Sequence, residues 1–393
     1  MPVPVSPHLP AARAAVQRLG ASKIREVANA GMGLADVLPF WFGESDRPTP
    51  ALIADAARDA LASGAVFYTP NLGKPALRAE LAHYVSGLHG ATRVEHIGVT
   101  SAGVNALMLC AQLLLDPGDE VVALTPLWPN LLEIPRILGA QVRTVSLDHV
   151  AGRWQLDVQR LIDAIGPRTR VLMLNSPNNP TGWVMDRAAQ QAVLAHCRRL
   201  GVWILADEVY ERLYYADAPC APTFLDIAAR DERVISVNSF SKAWLMTGWR
   251  LGWITAPAAM LDDLGKLIEF NTSCAPDFVQ QAGCVAVRHG EAIVAEVRAE
   301  LRARRDHLAA ALATLPGLEV APADGAMYLF FKLPGAEDSV ALCKRLVNEA
   351  GLGLAPGAAF GADGEGHVRW CYAREQAVLD EGVARLARFL TLS

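Results

Sequence analysis

The run Val234-Ile235-Ser236-Val237 leads into Ser239-Phe240-Ser241-Lys242, and eight residues after the lysine comes Arg250, within Thr247-Gly248-Trp249-Arg250-Leu251-Gly252. The apolar, β-branched run reads as a buried strand. A lysine among small hydroxyl residues at its end can form a Schiff base with an aldehyde, and an arginine flanked by glycines can hold a phosphate. Pyridoxal phosphate carries both groups.

Outward from this stretch the chain alternates short β-rich runs with helix-like segments from about Glu95 to Pro257. The expected strands are 96–100, 120–124, 142–145, 170–174, 202–206, 233–237 and 252–255. Several are apolar on successive residues, which a sheet buried on both faces requires. The expected fold is α/β, with a mostly parallel seven-stranded sheet flanked by helices in a large domain. In open sheets of this kind ligands collect at the carboxyl ends of the strands. Three further motifs fall at such ends: Asn175-Ser176-Pro177-Asn178-Asn179-Pro180-Thr181-Gly182, Ala206-Asp207-Glu208-Val209-Tyr210, and Thr100-Ser101-Ala102-Gly103-Val104-Asn105-Ala106.

Beyond about Cys284 the texture changes. A long helical pattern rich in Ala, Arg and Glu runs to about Leu315. Leu318–Val320 and Met327–Lys332 read as strands with a turn between them, Ser339–Ala350 as a helix, His367–Tyr372 as a strand and Glu375–Leu390 as an amphipathic helix. This is a smaller α+β domain. The expected division is a large domain over 50–284 and a small one built from 1–49 and 285–393. The sequence contains neither an internal repeat nor a low-complexity linker.

Composition narrows the classes. The 393 residues are 52% hydrophobic and 20% charged, enough for a filled core and against disorder. A net charge of -5 supplies no basic field for a nucleic-acid backbone. The longest apolar runs are strand-sized and far short of a membrane span. The start, Met1-Pro2-Val3-Pro4-Val5-Ser6-Pro7-His8, lacks a basic region followed by a sustained apolar core, so the cytoplasm is the expected location. Seven scattered cysteines with no C-x-x-C pair imply neither a disulfide framework nor a metal site.

Taken together, the motifs resemble those of fold-type I pyridoxal phosphate enzymes of the class I/II aminotransferase family, over nearly the whole chain. They are, in order, Gly43-Glu44-Ser45-Asp46 with Pro48-Thr49-Pro50, Tyr68-Thr69-Pro70 with Gly73 and Leu77-Arg78, Ala102-Gly103, Asp116-Pro117-Gly118-Asp119-Glu120, Trp128, Asn179-Pro180-Thr181-Gly182, Asp207 with Tyr210, Ser239–Lys242, Arg250 and Arg369.

The resemblance implies a role for each. Lys242 would be the Schiff-base lysine that also moves a proton between the α-carbon and the cofactor. Asp207 would pair with the pyridine nitrogen and keep the ring an electron sink. Asn179 and Tyr210 would donate to the phenolic oxygen. Ala102, Gly103 and Val104 open a helix whose N-terminus would hold the phosphate with Ser239, Ser241 and Arg250. The family often has two adjacent glycines where this chain has Ala102-Gly103. Trp128 would stack on the ring, and Tyr68 would reach the phosphate of the neighbouring subunit, implying a homodimer with shared active sites. Arg369, with Gly43 and Asn179, would hold the substrate's α-carboxylate.

No arginine lies between Arg250 and Arg288, so the second arginine that dicarboxylate-specific members often carry is not found there. The apolar run Pro39-Phe40-Trp41-Phe42 is expected against the substrate side chain and suits a large apolar or aromatic amino acid; Arg25 suits an acidic one. The leading expectation is transfer of an amino group from an L-amino acid to a 2-oxo acid. The same residues would serve a carbon-sulfur β-lyase or an aminocyclopropane-carboxylate-synthase-like lyase. A cofactor-sensing transcription regulator would need a basic helix-turn-helix extension, which the sequence ahead of the domain lacks.

Overall fold

The computed structural model describes residues 11–392. Residues 1–10 and 393 lie outside the described residues, and with them the Met1–His8 start and the first part of the 1–49 segment. One sheet is built from β1 (Ile97–Thr100), β2 (Glu120–Thr125), β3 (Gln141–Ser146), β4 (Thr169–Asn175), β5 (Trp203–Asp207), β6 (Val234–Ser239) and β7 (Gly252–Thr255). Its order is β1-β7-β6-β5-β4-β2-β3. All neighbours run parallel except that β7 is antiparallel to both β1 and β6. The expected seven-stranded, mostly parallel α/β sheet is therefore present.

Successive strand residues enter opposite cores, which explains why the strands are not polar on alternate positions. Val121, Ala123, Val171, Met173, Ile235 and Val237 pack with Leu109, Leu264 and Ile268 on one face. Val122, Leu124, Leu172, Leu174 and Val234 pack with Leu161, Val193 and Leu194 on the other. Each fully buried side chain of this size contributes about 1.5–3 kcal/mol. Helices begin and end where short polar residues and glycine allow: Asp186 Oδ1 accepts from Ala189 N at 2.8 Å at the start of Arg187–Leu200, and Gly201 closes it in the left-handed conformation.

The topology gathers six carboxyl ends, Thr100, Thr125, Ser146, Asn175, Asp207 and Ser239, on one edge of the sheet. The antiparallel β7 starts at that same edge, with Gly252 opposite Thr100 and Ser239. A Cβ on Gly252 would lie 2.7 Å from Gly103 N and from Asn238 O. The bare glycine lets the start of the helix Gly103–Leu114 settle onto the sheet.

The C-terminal part forms a second unit. β8 (Tyr328–Lys332), β9 (Ala355–Pro356) and β10 (His367–Cys371) make an antiparallel sheet in the order β8-β10-β9. The helices Ser339–Ala350 and Gln376–Leu392 belong to it. Leu38–Pro39 pairs in parallel with Leu352–Gly353, so the N-terminal segment meets this unit. Among the described residues no helix is long and apolar enough to cross a membrane.

Two local expectations are corrected. The helical pattern reaching Leu315 is two helices, Asp277–His289 and Glu291–Ala313, divided at Gly290. Leu318–Val320 is not a strand. The residues between it and β8 spend their backbone bonds elsewhere: Gly325 N donates to Gly182 O, Ala326 N to Leu213 O, and Asp324 O accepts from Tyr215 N. No hairpin can close there.

Behind β10 lies a cluster in which His367 stacks on Phe330, with ring centroids 5.2 Å apart, and meets His149 edge-on at 5.1 Å. Burial holds the His367 imidazole down to about 4, with His149 and Lys332 adding to the effect. The unfolded chain therefore takes up this proton first, and the stability the neutral ring supports is complete above about pH 6.5 and shrinks as pH falls towards 4. His367→Phe is expected to lose less melting temperature than the wild type between pH 7.5 and 4.5, by the equivalent of up to about 2–3 kcal/mol. Parallel melting curves across that range would refute it.

Candidate active site

At the carboxyl edge of the sheet opens a cavity of about 470 Å³. It is lined by Gly103, Val104, Trp128, Asn179, Asp207, Tyr210, Ser239, Ser241, Lys242 and Arg250 from the sheet and its loops, and by Gly43, Tyr328 and Arg369 from the segments around the C-terminal unit. Of the fourteen residues to which the resemblance gave a role in the site, twelve thus share one hollow. Two do not. Ala102 is fully buried behind the helix start, and Tyr68 is 91% exposed on the outside of the chain.

Lys242 follows β6 and reaches across to donate from Nζ to Gly43 O at 2.6 Å. Desolvation lowers its ammonium to about 8, against some support from the neighbouring Cys371 and Glu44. Asp207 ends β5, 2% exposed, and its carboxylate Oδ1 accepts from the Val209 N–H at 3.3 Å. Burial pushes its carboxyl up to about 7, opposed by that N–H and by the charge of Lys242. A basic amine and an under-bonded carboxylate therefore face one water-poor space.

The loop after β4 is held by Asn175, whose Nδ2 donates to Asp207 O at 3.0 Å while its Oδ1 accepts from Asn179 N at 2.7 Å. Asn178 Oδ1 accepts from both the Thr181 N–H and hydroxyl, closing the turn. Asn179 Oδ1 in turn accepts from Arg369 Nη1 at 2.8 Å. Arg369 is 2% exposed, donates also to Trp41 O, and lies over the rings of Tyr328 and Phe360 at 4.4 and 4.9 Å. Its Nε has no partner, and no carboxylate sits within ion-pair distance of it among the described residues. A buried guanidinium so left is a site for a planar anion.

The same cavity holds a second candidate anion site. The helix Gly103–Leu114 has no side-chain cap, and Gly103 and Val104 of its first turn line the cavity. Ser239 Oγ and Ser241 Oγ stand 2.9 Å apart beside them. Arg250 bonds only to Thr247 O and has no acidic partner among the described residues. Its backbone is left-handed, which re-aims the side chain after the turn.

The Ala102-Gly103 departure has a conformational cost. Ala102 sits at φ 98°, ψ 159°, a region open almost only to glycine. Ala102→Gly is expected to stabilise the chain by about 1 kcal/mol, the relieved strain of about 1–3 kcal/mol offset by glycine's larger unfolded-state entropy. Thermal denaturation would show a rise; a fall would refute the strain argument.

The apolar run before Gly43 divides. Phe40 and Trp41 are buried in the core, Phe40 against Trp370 with centroids 4.8 Å apart, so of that run only Phe42 lines the cavity. Arg25 stands at the rim over the Phe42 ring at 5.4 Å. The sequence reading also missed Asn175, Tyr328, Val209, Leu107 and Asn130, which line the hollow. Asn175 was legible, since it opens the quoted turn motif. Tyr328 had no signal, because an aromatic in an apolar strand reads as core.

The chain is similar to known proteins over nearly its whole length. The chain is 34% identical to an aspartate aminotransferase of Pyrococcus horikoshii over 373 residues, 94% of each chain. It is 33% identical to an arginine–pyruvate transaminase of Pseudomonas aeruginosa, covering 90% of this chain and 89% of that one. A solved structure of a single mutant of Thermus thermophilus aspartate aminotransferase superposes with a TM-score of 0.90 at 32% identity, over 97% of this chain and all of that one. The sequence profile of the family described as aminotransferase class I and II matches residues 36–386, and the chain belongs to that family of pyridoxal phosphate-dependent aminotransferases.

Proposed function

We propose that the cavity holds pyridoxal 5'-phosphate, with the residues named above in the roles the resemblance implies. What carries the reading is the pairing, in one buried space, of the Lys242 amine and the Asp207 carboxylate, flanked by two anion sites of different shape. The donor set fits the group: the uncapped helix, Ser239, Ser241 and Arg250 suit a phosphate dianion, and the unfilled acceptor capacity of Asp207 suits a ring N–H. When bound, the cofactor supplies an aldehyde that takes up an amine and a ring that accepts electron density from the α-carbon.

The chain's own residues do the rest. Lys242, about a tenth unprotonated at pH 7 given its lowered value, binds the aldehyde and later carries a proton to or from the α-carbon. Asp207 holds the ring nitrogen protonated. Asn179 and Tyr210 donate to the ring's phenolic oxygen, Trp128 covers a ring face, and Arg369 orients the substrate through its α-carboxylate, with Gly43 beside it. The division into 50–284 and 1–49 with 285–393 would set this cavity between two domains, Gly43 and Arg369 coming from the smaller.

A homodimer would complete the site. Val66, Phe67, Tyr68 and Phe270 are all strongly exposed, and Asn71 Nδ2, donating to Ser273 O at 2.8 Å, ties their two segments together. An apolar surface of this kind supports an interface between copies, in which Tyr68 would reach the other copy's phosphate site. Seven free cysteines support a reducing, cytoplasmic setting.

Borohydride treatment of the cofactor-loaded protein should bleach its colour and leave a phosphopyridoxyl group on Lys242 in the peptide mass spectrum. Stoichiometric conversion of single amino acids to 2-oxo acids, with no ammonia released, should follow before reduction. Labelling of a different lysine would refute the assignment.

A further inference from the structure

One buried side chain touches three of the groups on which the proposed site depends. The hydroxyl of Tyr328 lies 2.6 Å from that of Tyr210, with the two rings edge-on at 5.8 Å. Its ring face carries the Arg369 guanidinium at 4.4 Å. The register explains that contact: Tyr328 pairs with Cys371 and Phe330 with Arg369, so Tyr328 and Arg369 are diagonal neighbours on adjacent strands. The third group is Gly43, where a Cβ would collide with the Tyr328 hydroxyl.

Two hydroxyls at this distance hold one hydrogen between them, so one oxygen accepts and keeps its own hydrogen for another partner. Tyr210 is the residue proposed to donate to the cofactor's phenolic oxygen. Tyr328 must then be the donor within the pair. A hydroxyl that accepts a bond becomes a stronger donor in the next.

We propose that Tyr328 is a positioning residue for amino-group transfer: its hydroxyl fixes Tyr210 as a donor into the cavity, its ring sets the plane of the Arg369 guanidinium, and Gly43 is bare because that hydroxyl occupies the space of a side chain. The inference rests on the pyridoxal phosphate reading of the site.

A donor to the phenolic oxygen favours the charged form of that oxygen, so weakening it raises the pH midpoint of the loaded protein's visible absorbance. Tyr328→Phe keeps the ring and is expected to raise that midpoint by about half a unit, threefold in proton affinity, with KM for the amino donor nearly unchanged. Tyr328→Leu also removes the platform under Arg369 and is expected to raise KM about tenfold as well. A purely structural side chain would lower the melting temperature in both variants and leave the midpoint where it was, and that result overturns the donor role.

Packing is read on the cofactor-free protein. Gly43→Ala should lower the melting temperature, and Tyr328→Phe in the same chain should recover part of the loss, since the ring carbon behind the hydroxyl stays close. Additive losses in the double variant would overturn the packing claim. If the protein takes up no pyridoxal phosphate and shows no visible band, the donor role falls with the site's reading, and the melting temperatures decide the packing claim separately.

Discussion

Lys242→Ala is expected to lower kcat by about 10⁴-fold or more, because one side chain supplies both the amine that binds the aldehyde and the base that moves the α-proton, and positioned proton transfer alone is worth about 10²–10⁴-fold. Among the described residues no other lysine lines the cavity to replace it. Tyr210 also lines the cavity, but burial with its Tyr328 partner pushes its hydroxyl well above the ordinary phenol range, so it cannot act as a base near neutrality. The loss should not come from unfolding. Desolvation holds the Lys242 ammonium down to about 8, so the folded chain binds that proton less well than the unfolded one, and the charge costs stability as pH falls from the ordinary lysine range, in full below about pH 8. Removing it should leave the melting temperature equal to or above that of the wild type at pH 7. A small primary amine added to the variant should restore part of the proton transfer through the space vacated, whereas Lys242→Arg, cationic at every working pH, should stay inactive. Turnover within tenfold of the wild type would sink the assignment.

How much of this was legible beforehand differs between the sheet and its surroundings. All seven strands of the large sheet lie where the β-rich runs placed them: six are buried on both faces and read as continuous apolar runs, while the largely exposed edge strand β3 was legible from its β-branched residues. Leu318–Val320 has the same local texture and is no strand, since the residues that would turn the chain back from it, Gly325 and Ala326, hydrogen-bond to Gly182 and Leu213, more than a hundred residues earlier. Local pattern carries no trace of such pairings. The break at Gly290 was hidden in a similar way: the helical composition continues across it, and only the packing of Trp244 and the Ala286 carbonyl against the bare glycine shows why the chain turns. At the site, residues inside turn motifs could be read, while Tyr328 and the burial of Phe40 and Trp41 could not, because an aromatic in an apolar run looks the same whether it faces the core or a cavity.

Asp207→Asn is expected to separate what the site needs from what the fold prefers. The amide keeps the shape of the carboxyl and can still accept from Val209 N, so the end of β5 should not move. It carries no charge, however, and cannot hold the ring nitrogen protonated. Loss of one preorganised electrostatic contact of this kind costs about 10²–10³-fold in kcat, and the isotope effect on the α-deuterated substrate should grow as that step becomes limiting. Stability should change in the opposite sense. With burial as the largest cause, the folded cofactor-free chain holds the Asp207 proton up to about pH 7, far above the ordinary carboxyl range. The carboxyl therefore costs nothing below the unfolded value and becomes steadily more destabilising as pH rises towards 7. At pH 8 the asparagine variant without cofactor should be more stable by something on the order of 2–4 kcal/mol, and the difference should vanish by about pH 4. A variant that is slower and no more stable would show that the Asp207 charge is already compensated within the fold. A variant that is more stable and equally fast would show that the ring nitrogen is held by another group. Only the combination of a slower enzyme and a firmer cofactor-free protein is what a carboxylate buried for its chemistry predicts.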